Sequence, residues 1–129
     1  MDGTLIDSEP YWLAAEEELV ESFGGQWSHE QGLALVGSGL WDSATALQHA
    51  GVELHQSEII DRLSTSVRTR LEEHIPWRPG AREMIAQMLE GGLPTALVTM
   101  SFRKNALTIA QAMSAELGRE AFGVIVAGD

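Results

Sequence analysis

Two stretches of the sequence, far apart along the chain, carry polar side chains in patterns that suit chemistry. Asp2 stands in the tripeptide Asp-Gly-Thr near the amino end, and Thr99 closes the apolar run 95–98. Taken alone, Asp-Gly-Thr is typical of a turn at a strand end, because glycine tolerates positive φ and Asp and Thr bond to nearby backbone. A hydroxyl at the carboxyl end of a strand is a candidate for ligand binding, since ligands of open α/β sheets gather in the crevice there.

Thr99 has a second interpretation, as the N-cap of the helix expected after it. Ser101 stands closer to the start of that helix and is better placed to cap it. This leaves Thr99 as the candidate for binding a ligand. For Lys104 and Asn105, which follow, the simpler interpretation is a solvated first helical turn.

Charge and composition limit the partners. Eight basic and nineteen acidic side chains give a formal net charge of −11, so the molecule repels nucleic acid and anionic membranes, and neither is the expected partner. Any phosphate site must bring its own positive charge, from a metal, a lysine or backbone amides. The absence of cysteine excludes disulfides and thiol catalysis. Together with the lack of a basic and apolar leader pattern, it leads us to expect a cytoplasmic protein.

The elements that must position these residues begin with a block of helices. Apolar residues at three- and four-residue steps predict a helix over about 8–23, with the glutamates 16–18 on its solvated face. Ser28 followed three positions later by Gln31 is a capping-box pattern that starts a short second helix ending near Gly37. Two more helices are expected, over about 41–50 and along the apolar stripe Ile59, Leu63, Val67 and Leu71.

The pattern changes after the proline-rich segment 76–80, which cannot continue a helix. A helix over 81–90, a buried parallel strand over 95–98, a helix over 103–117 and a second apolar strand over 124–127 are predicted. Alternating helices and strands are typical of an α/β fold.

The opening residues, Met1-Asp2-Gly3-Thr4-Leu5-Ile6-Asp7-Ser8-Glu9, closely resemble the first motif of haloacid dehalogenase-like phosphatases and phosphomutases. In that motif two aspartates flank one residue and Gly-Thr follows. The helical block and then Arg78-Pro79-Gly80-Ala81 match the subgroup with a helical cap, and 96–101 resembles the second motif. The resemblance implies an α/β protein with a partial Rossmann-like parallel-sheet core over 1–7 and 78–129 and an all-helical cap over 8–77.

The resemblance also implies roles for individual residues. Asp2 is the acid/base, and its backbone carbonyl binds Mg²⁺. The Thr99 hydroxyl and the Met100 amide hold the phosphoryl group. Gly39 and Trp41 lie where related enzymes carry a loop that closes over the substrate; the alternative is that Trp41 packs in the core of the cap.

The family's nucleophilic aspartate would stand immediately before Met1, and its third and fourth motifs cannot be placed. The resemblance therefore implies a chain cut at both ends and inactive by itself. For the complete protein we expect hydrolysis of a phosphomonoester of a small metabolite through an aspartyl-phosphate, with Mg²⁺. The alternatives are a sugar-phosphate mutase and a catalytically inactive binding or regulatory module on the same fold.

Overall fold

The computed structural model describes all 129 residues, and the chain divides into two compact units. The first unit combines Met1–Ser8 with Arg68–Asp129, and the second is Glu9–Val67. The predicted division places the return to the core at residue 78, within the proline-rich segment 76–80. The compact units separate within the fourth helix, between residues 67 and 68, and the bounds of the core and the cap stay a prediction.

The second unit is helical, as predicted, and contains α1 (Glu9–Ser22), α2 (His29–Ala34), α3 (Leu40–His49) and most of α4 (Gln56–Glu73). The predicted capping box is present: the N–H of Gln31 donates to Ser28 Oγ at 3.1 Å, and the N–H of Ser28 donates to Gln31 Oε1 at 2.9 Å. These two bonds satisfy donors that would otherwise be unpaired at the start of a helix of only six residues.

The core of this unit is built from aliphatic side chains at helical spacing. The stripe predicted for α4 is buried throughout, with Ile59, Leu63 and Val67 at most 1% exposed. Val20 of α1 and Leu47 of α3 are fully buried as well. Burial of one face on each helix is what holds helices of this length in place, because short isolated helices are marginal in water.

Glu16 departs from the predicted solvated face, since it is only 5% exposed. The indole N–H of Trp27 donates to Glu16 Oε2 at 3.3 Å. Gly32 of α2 lies against the same place: a Cβ there would stand 3.4 Å from Glu16 Oε2 and 2.3 Å from Leu13 Cδ2. A helix without a side chain at position 32 thus approaches α1 closely and covers the carboxyl group. Burial raises the pKa of Glu16 to about 7, and the Trp27 hydrogen bond acts in the opposite direction.

The first unit contains the end of α4, α5 (Ala81–Glu90), β1 (Ala96–Val98), α6 (Arg103–Leu117) and β2 (Val124–Val126). The strands pair in parallel, with Leu97 opposite Ile125. The predicted order of helix, strand, helix and strand is confirmed, and so is the parallel pairing.

The prediction that the strand over 95–98 is buried is wrong for two of the three residues of β1, and the second apolar strand is exposed as well. Leu97 is 3% exposed, but Val98, Val124 and Val126 are 65%, 56% and 51% exposed. A sheet of two strands has two open edges, so the residues that flank Leu97 and those of β2 are not covered by further strands.

The opening segment forms a tight turn joined to the proline-rich segment. Gly3 has a φ of +73°, and the carbonyl of Met1 accepts the N–H groups of residues 4–6. Ile6, which is fully buried, bridges to Trp77 in antiparallel fashion. No helix in the structure combines the length and the apolar character that crossing a bilayer requires.

Candidate functional site

The carboxylate of Asp2 is held by two serine hydroxyls. Ser8 Oγ donates to Oδ1 at 2.5 Å, and Ser101 Oγ donates to Oδ2 at 2.7 Å. Ser8 is fully buried, Ser101 is 7% exposed, and Asp2 itself is half-buried. Each carboxylate oxygen therefore has a separate donor, one from the residue just before α1 and one from the loop that follows β1.

Thr99 belongs to that same loop. The N–H of Thr99 donates to the carbonyl of Val126 at 3.0 Å, which continues the ladder between the strands, and the N–H of Ser101 donates to Thr99 Oγ1 at 3.1 Å. Met100 lies between them, 60% exposed, and no group of the chain accepts its N–H. Asp2 and Thr99 are thus connected through one residue, Ser101, at the carboxyl end of β1.

Neither Thr99 nor Ser101 caps the following helix, so the capping role considered for Ser101 is wrong. The N-cap residue of α6 is Phe102, which has no side-chain cap. Instead Asp129 Oδ1 accepts the N–H of Arg103, the first residue of α6, at 2.6 Å. A carboxylate at this end of a helix is favourable because it meets unpaired N–H groups and the positive end of the helix dipole. Asn105 of the first turn is 1% exposed and not solvated as expected, whereas Lys104 is exposed.

The residues that follow β2 contact the loop that carries Thr99. The N–H of Gly128 donates to the carbonyl of Ser101 at 3.0 Å. A Cβ at Gly128 would stand 1.9 Å from the carbonyl oxygen of Met100, a distance that no side chain can occupy. The absence of a side chain at position 128 therefore allows the backbone to approach the loop that carries Thr99.

The two residues predicted to contact the substrate from the cap belong to the second unit. Gly39 is the N-cap residue of α3, and Trp41 lies in the first turn of that helix. Trp41 is 51% exposed, which rules out the alternative in which it packs inside the cap core. Its contact with a substrate stays a prediction.

The metal expected from the resemblance, Mg²⁺, prefers oxygen ligands. No group of three or more His, Cys, Asp or Glu side chains in the chain could hold a metal ion. Both carboxylate oxygens of Asp2 accept hydroxyl groups, and the nearby carboxylate of Asp129 accepts the N–H of Arg103. The residues present supply at most part of a magnesium site, and the predicted binding of Mg²⁺ by the backbone carbonyl of Asp2 stays a prediction.

Sequence patterns missed the two serines that touch Asp2. Ser8 was part of the quoted motif but had no role of its own, and Ser101 was assigned to a helix cap. No periodicity could have linked Ser101 to Asp2, because the two are 99 positions apart in sequence. A serine directly after the polar end of a strand was the one local signal available.

The fold and this loop match a known class of protein. The model of the family described as haloacid dehalogenase-like hydrolase matches residues 1–129. The chain belongs to this family, as the motifs predicted, and its fold class is α/β.

Two curated relatives are similar in sequence. Hexitol phosphatase B of Escherichia coli (strain K12) is 33% identical over 104 residues, which cover 78% of this chain and 47% of that protein. Fructose-1-phosphate phosphatase YqaB of the same organism is 32% identical over 135 residues, which cover 100% of this chain and 66% of that protein. The chain thus spans between about half and two thirds of the length of these relatives.

A solved structure shares the fold. CbbY from Rhodobacter sphaeroides, crystallised in complex with phosphate, matches with a TM-score of 0.80 at 24% identity. The match covers 100% of this chain and 61% of that one. At this level of identity the likeness concerns the fold alone.

Proposed function

We propose that the complete protein hydrolyses a phosphomonoester of a small metabolite through an aspartyl-phosphate. Asp2 is its acid/base, and Thr99 and the N–H of Met100 bind the phosphoryl group. The observation that carries the proposal is the connection of Asp2 to Thr99 through Ser101, with distances of 2.7 and 3.1 Å. Membership of the haloacid dehalogenase-like hydrolase family supports the same reaction class.

The chemistry of the loop suits an anionic substrate despite the net charge of −11. A hydroxyl and an N–H group at the end of a strand supply hydrogen-bond donors without requiring a basic side chain. The N–H of Met100 is available, since no group of the chain accepts it. The positive charge that a phosphoryl group requires is assigned to Mg²⁺, which is typical of phosphatases in this family. It would stabilise negative charge on the phosphoryl oxygens.

The family pattern puts the nucleophilic aspartate two positions before Asp2, outside the 129 residues. The proposed reaction needs a carboxylate at this position, so the protein that is assayed must include it. Loss of the nucleophile removes the covalent route, whereas loss of an acid/base typically costs about 10²- to 10⁴-fold in rate.

We assign phosphorylated sugars and sugar alcohols as the substrate class. The names of the two curated relatives, hexitol phosphatase B and fructose-1-phosphate phosphatase, support this assignment. In the second unit, the exposed indole of Trp41 and the adjacent Gly39 are proposed to contact the carbon skeleton of such a substrate. An exposed aromatic ring suits this task because it offers an apolar face to C–H groups.

The test uses the chain extended by the codons before Met1 and after Asp129. Release of inorganic phosphate from a panel of sugar and sugar-alcohol phosphates in Mg²⁺ is measured for the unchanged protein, for Asp2→Asn and for Asp7→Asn. Asp7 is an exposed carboxylate of the same opening segment and serves as the matched control. We expect Asp2→Asn to lose about 10²- to 10⁴-fold in kcat/KM, and Asp7→Asn to stay close to the unchanged protein. Equal rates for Asp2→Asn and the unchanged protein would show that the acid/base is misassigned, and a product that keeps its phosphate at a new position would identify a mutase.

A further inference from the structure

We propose that Ser101 is the positioning residue for Asp2: its hydroxyl holds the carboxyl group in the orientation from which a proton reaches the leaving oxygen. The inference rests on the proposed function and assigns a task to a residue that the resemblance left without one. Ser101 acts through Asp2: it orients the carboxyl group of the acid and does not itself transfer the proton.

The contacts of Asp2 define one orientation of its carboxyl group. The hydroxyl of Ser101 meets Oδ2 and the hydroxyl of Ser8 meets Oδ1, at 2.7 and 2.5 Å. Rotation of the carboxyl plane would break both bonds at once. Because both serines are buried, such a rotation would leave two buried hydroxyl groups without their acceptor, which is costly.

Ser101 itself is fixed on three sides, which distinguishes it from a freely rotating surface hydroxyl. Its N–H donates to Thr99 Oγ1 at 3.1 Å, and its carbonyl accepts the N–H of Gly128 at 3.0 Å. Its hydroxyl is the remaining polar group, and that hydroxyl points to Asp2. The same residue thus orients the acid/base and bonds to the candidate phosphate-binding hydroxyl. The positions of the Asp2 carboxyl group and the Thr99 hydroxyl are therefore fixed relative to each other.

The chemical consequence follows from the proton-transfer step. As the nucleophilic carboxylate forms a bond to phosphorus, the bond between phosphorus and the ester oxygen breaks, and the proton of Asp2 goes to that departing oxygen. An acid must lie within hydrogen-bond reach of the atom it protonates, and a displacement of about 1 Å can cost about 10²-fold. A serine hydroxyl can donate to the carboxylate and accept from the carboxylic acid, so Ser101 can hold Asp2 in both states.

The test compares two substrates that differ in their need for an acid. An alkyl phosphate needs protonation of its leaving oxygen, whereas p-nitrophenyl phosphate releases a stable phenolate without it. In the extended chain, Ser101→Ala is expected to lower kcat/KM for the alkyl phosphate by about 10- to 100-fold and to change that for p-nitrophenyl phosphate much less. Ser101→Thr, which keeps the hydroxyl, is expected to restore the ratio of the two values.

Ser64→Ala is the matched control, since Ser64 is 5% exposed and lies in the part of α4 that belongs to the second unit. It removes the same hydroxyl from an equally buried site and should leave the substrate ratio unchanged. Ser8→Ala provides a second route to the same answer, because it removes the donor to the other oxygen and should shift the ratio in the same direction.

The outcomes separate the two proposals. Equal losses on both substrates in Ser101→Ala and Ser8→Ala, with Asp2→Asn selectively impaired on the alkyl phosphate, would overturn the positioning role and leave the proposed function standing. An extended chain that hydrolyses neither substrate, or whose rates do not respond to Asp2→Asn, would overturn the proposed function and this inference with it.

Discussion

Replacement of Glu16 by glutamine is expected to stabilise the protein above neutral pH. Glu16 is 5% exposed and accepts one hydrogen bond, from the indole of Trp27. Burial raises its pKa to about 7 from an ordinary value of 4.5. Glutamine has nearly the same shape, keeps an oxygen that can accept the Trp27 N–H, and carries no charge at any pH.

The sign and size of the effect follow from the two pKa values. Below pH 4.5 the carboxyl group is protonated in both the folded and the unfolded state, so its titration costs nothing. Between pH 4.5 and about 7 the unfolded state loses its proton first, and the free energy of unfolding falls as pH rises. Above about pH 7 the carboxyl group is ionised in both states and the loss of stability is complete. The pKa rises from 4.5 to about 7, and at about 1.4 kcal/mol for each pKa unit the loss is about 3 kcal/mol.

Denaturant unfolding followed by tryptophan fluorescence measures this effect at pH 4 and pH 8. Glu16→Gln is expected to match the unchanged protein at pH 4 and to exceed it by up to about 3 kcal/mol at pH 8. Glu17→Gln removes a charge from the next, exposed position of α1 and should show no such difference between the two pH values. A Glu16→Gln variant whose stability relative to the unchanged protein is the same at both pH values would refute the assignment of a neutral, buried carboxyl group.

Two other substitutions test particular contacts through the free energy of unfolding. Ser28→Ala removes the hydroxyl that accepts the Gln31 N–H and is expected to cost about 1 kcal/mol, whereas Ser28→Thr, which keeps a capping oxygen, should cost much less. Gly128→Ala places a Cβ 1.9 Å from the Met100 carbonyl oxygen and is expected to cost at least about 1–3 kcal/mol, because backbone must move. Gly123→Ala is its control, as a Cβ there has its nearest neighbour at 3.9 Å; equal costs for the two glycines would mean that the close approach at position 128 does not persist in solution.

Local patterns were sufficient to predict the secondary structure. The helix over 103–117 has the predicted bounds, and the capping box at Ser28 forms with both of its hydrogen bonds. In these places the signal and the structure involve the same few neighbouring residues, so the sequence holds all the required information.

The misread positions depend on residues distant in sequence. Glu16 falls on the polar side of α1 by spacing, yet Trp27 and the bare backbone of Gly32 enclose it. The first strand was expected to be buried because it is apolar, but the burial of a strand depends on what lies on its faces and edges. Val98 and Val126 remain more than half exposed although their composition suits a core.

The candidate site was predictable only where its residues belong to local motifs. Asp2 and Thr99 were singled out by motif, and the structure brings them close together through Ser101. The hydroxyls that fix Asp2 could not be inferred, because serine occurs in too many local roles for its type to reveal a partner 99 positions away.

The unit that holds Asp2 is discontinuous along the chain, and this affects the order in which the protein can form. Met1–Ser8 must join Arg68–Asp129 after the whole of Glu9–Val67 has intervened. Closing so long a loop costs entropy before any contact compensates for it. During synthesis the helices of the intervening segment are therefore complete before Ser101, the second serine that contacts the Asp2 carboxylate, has been made.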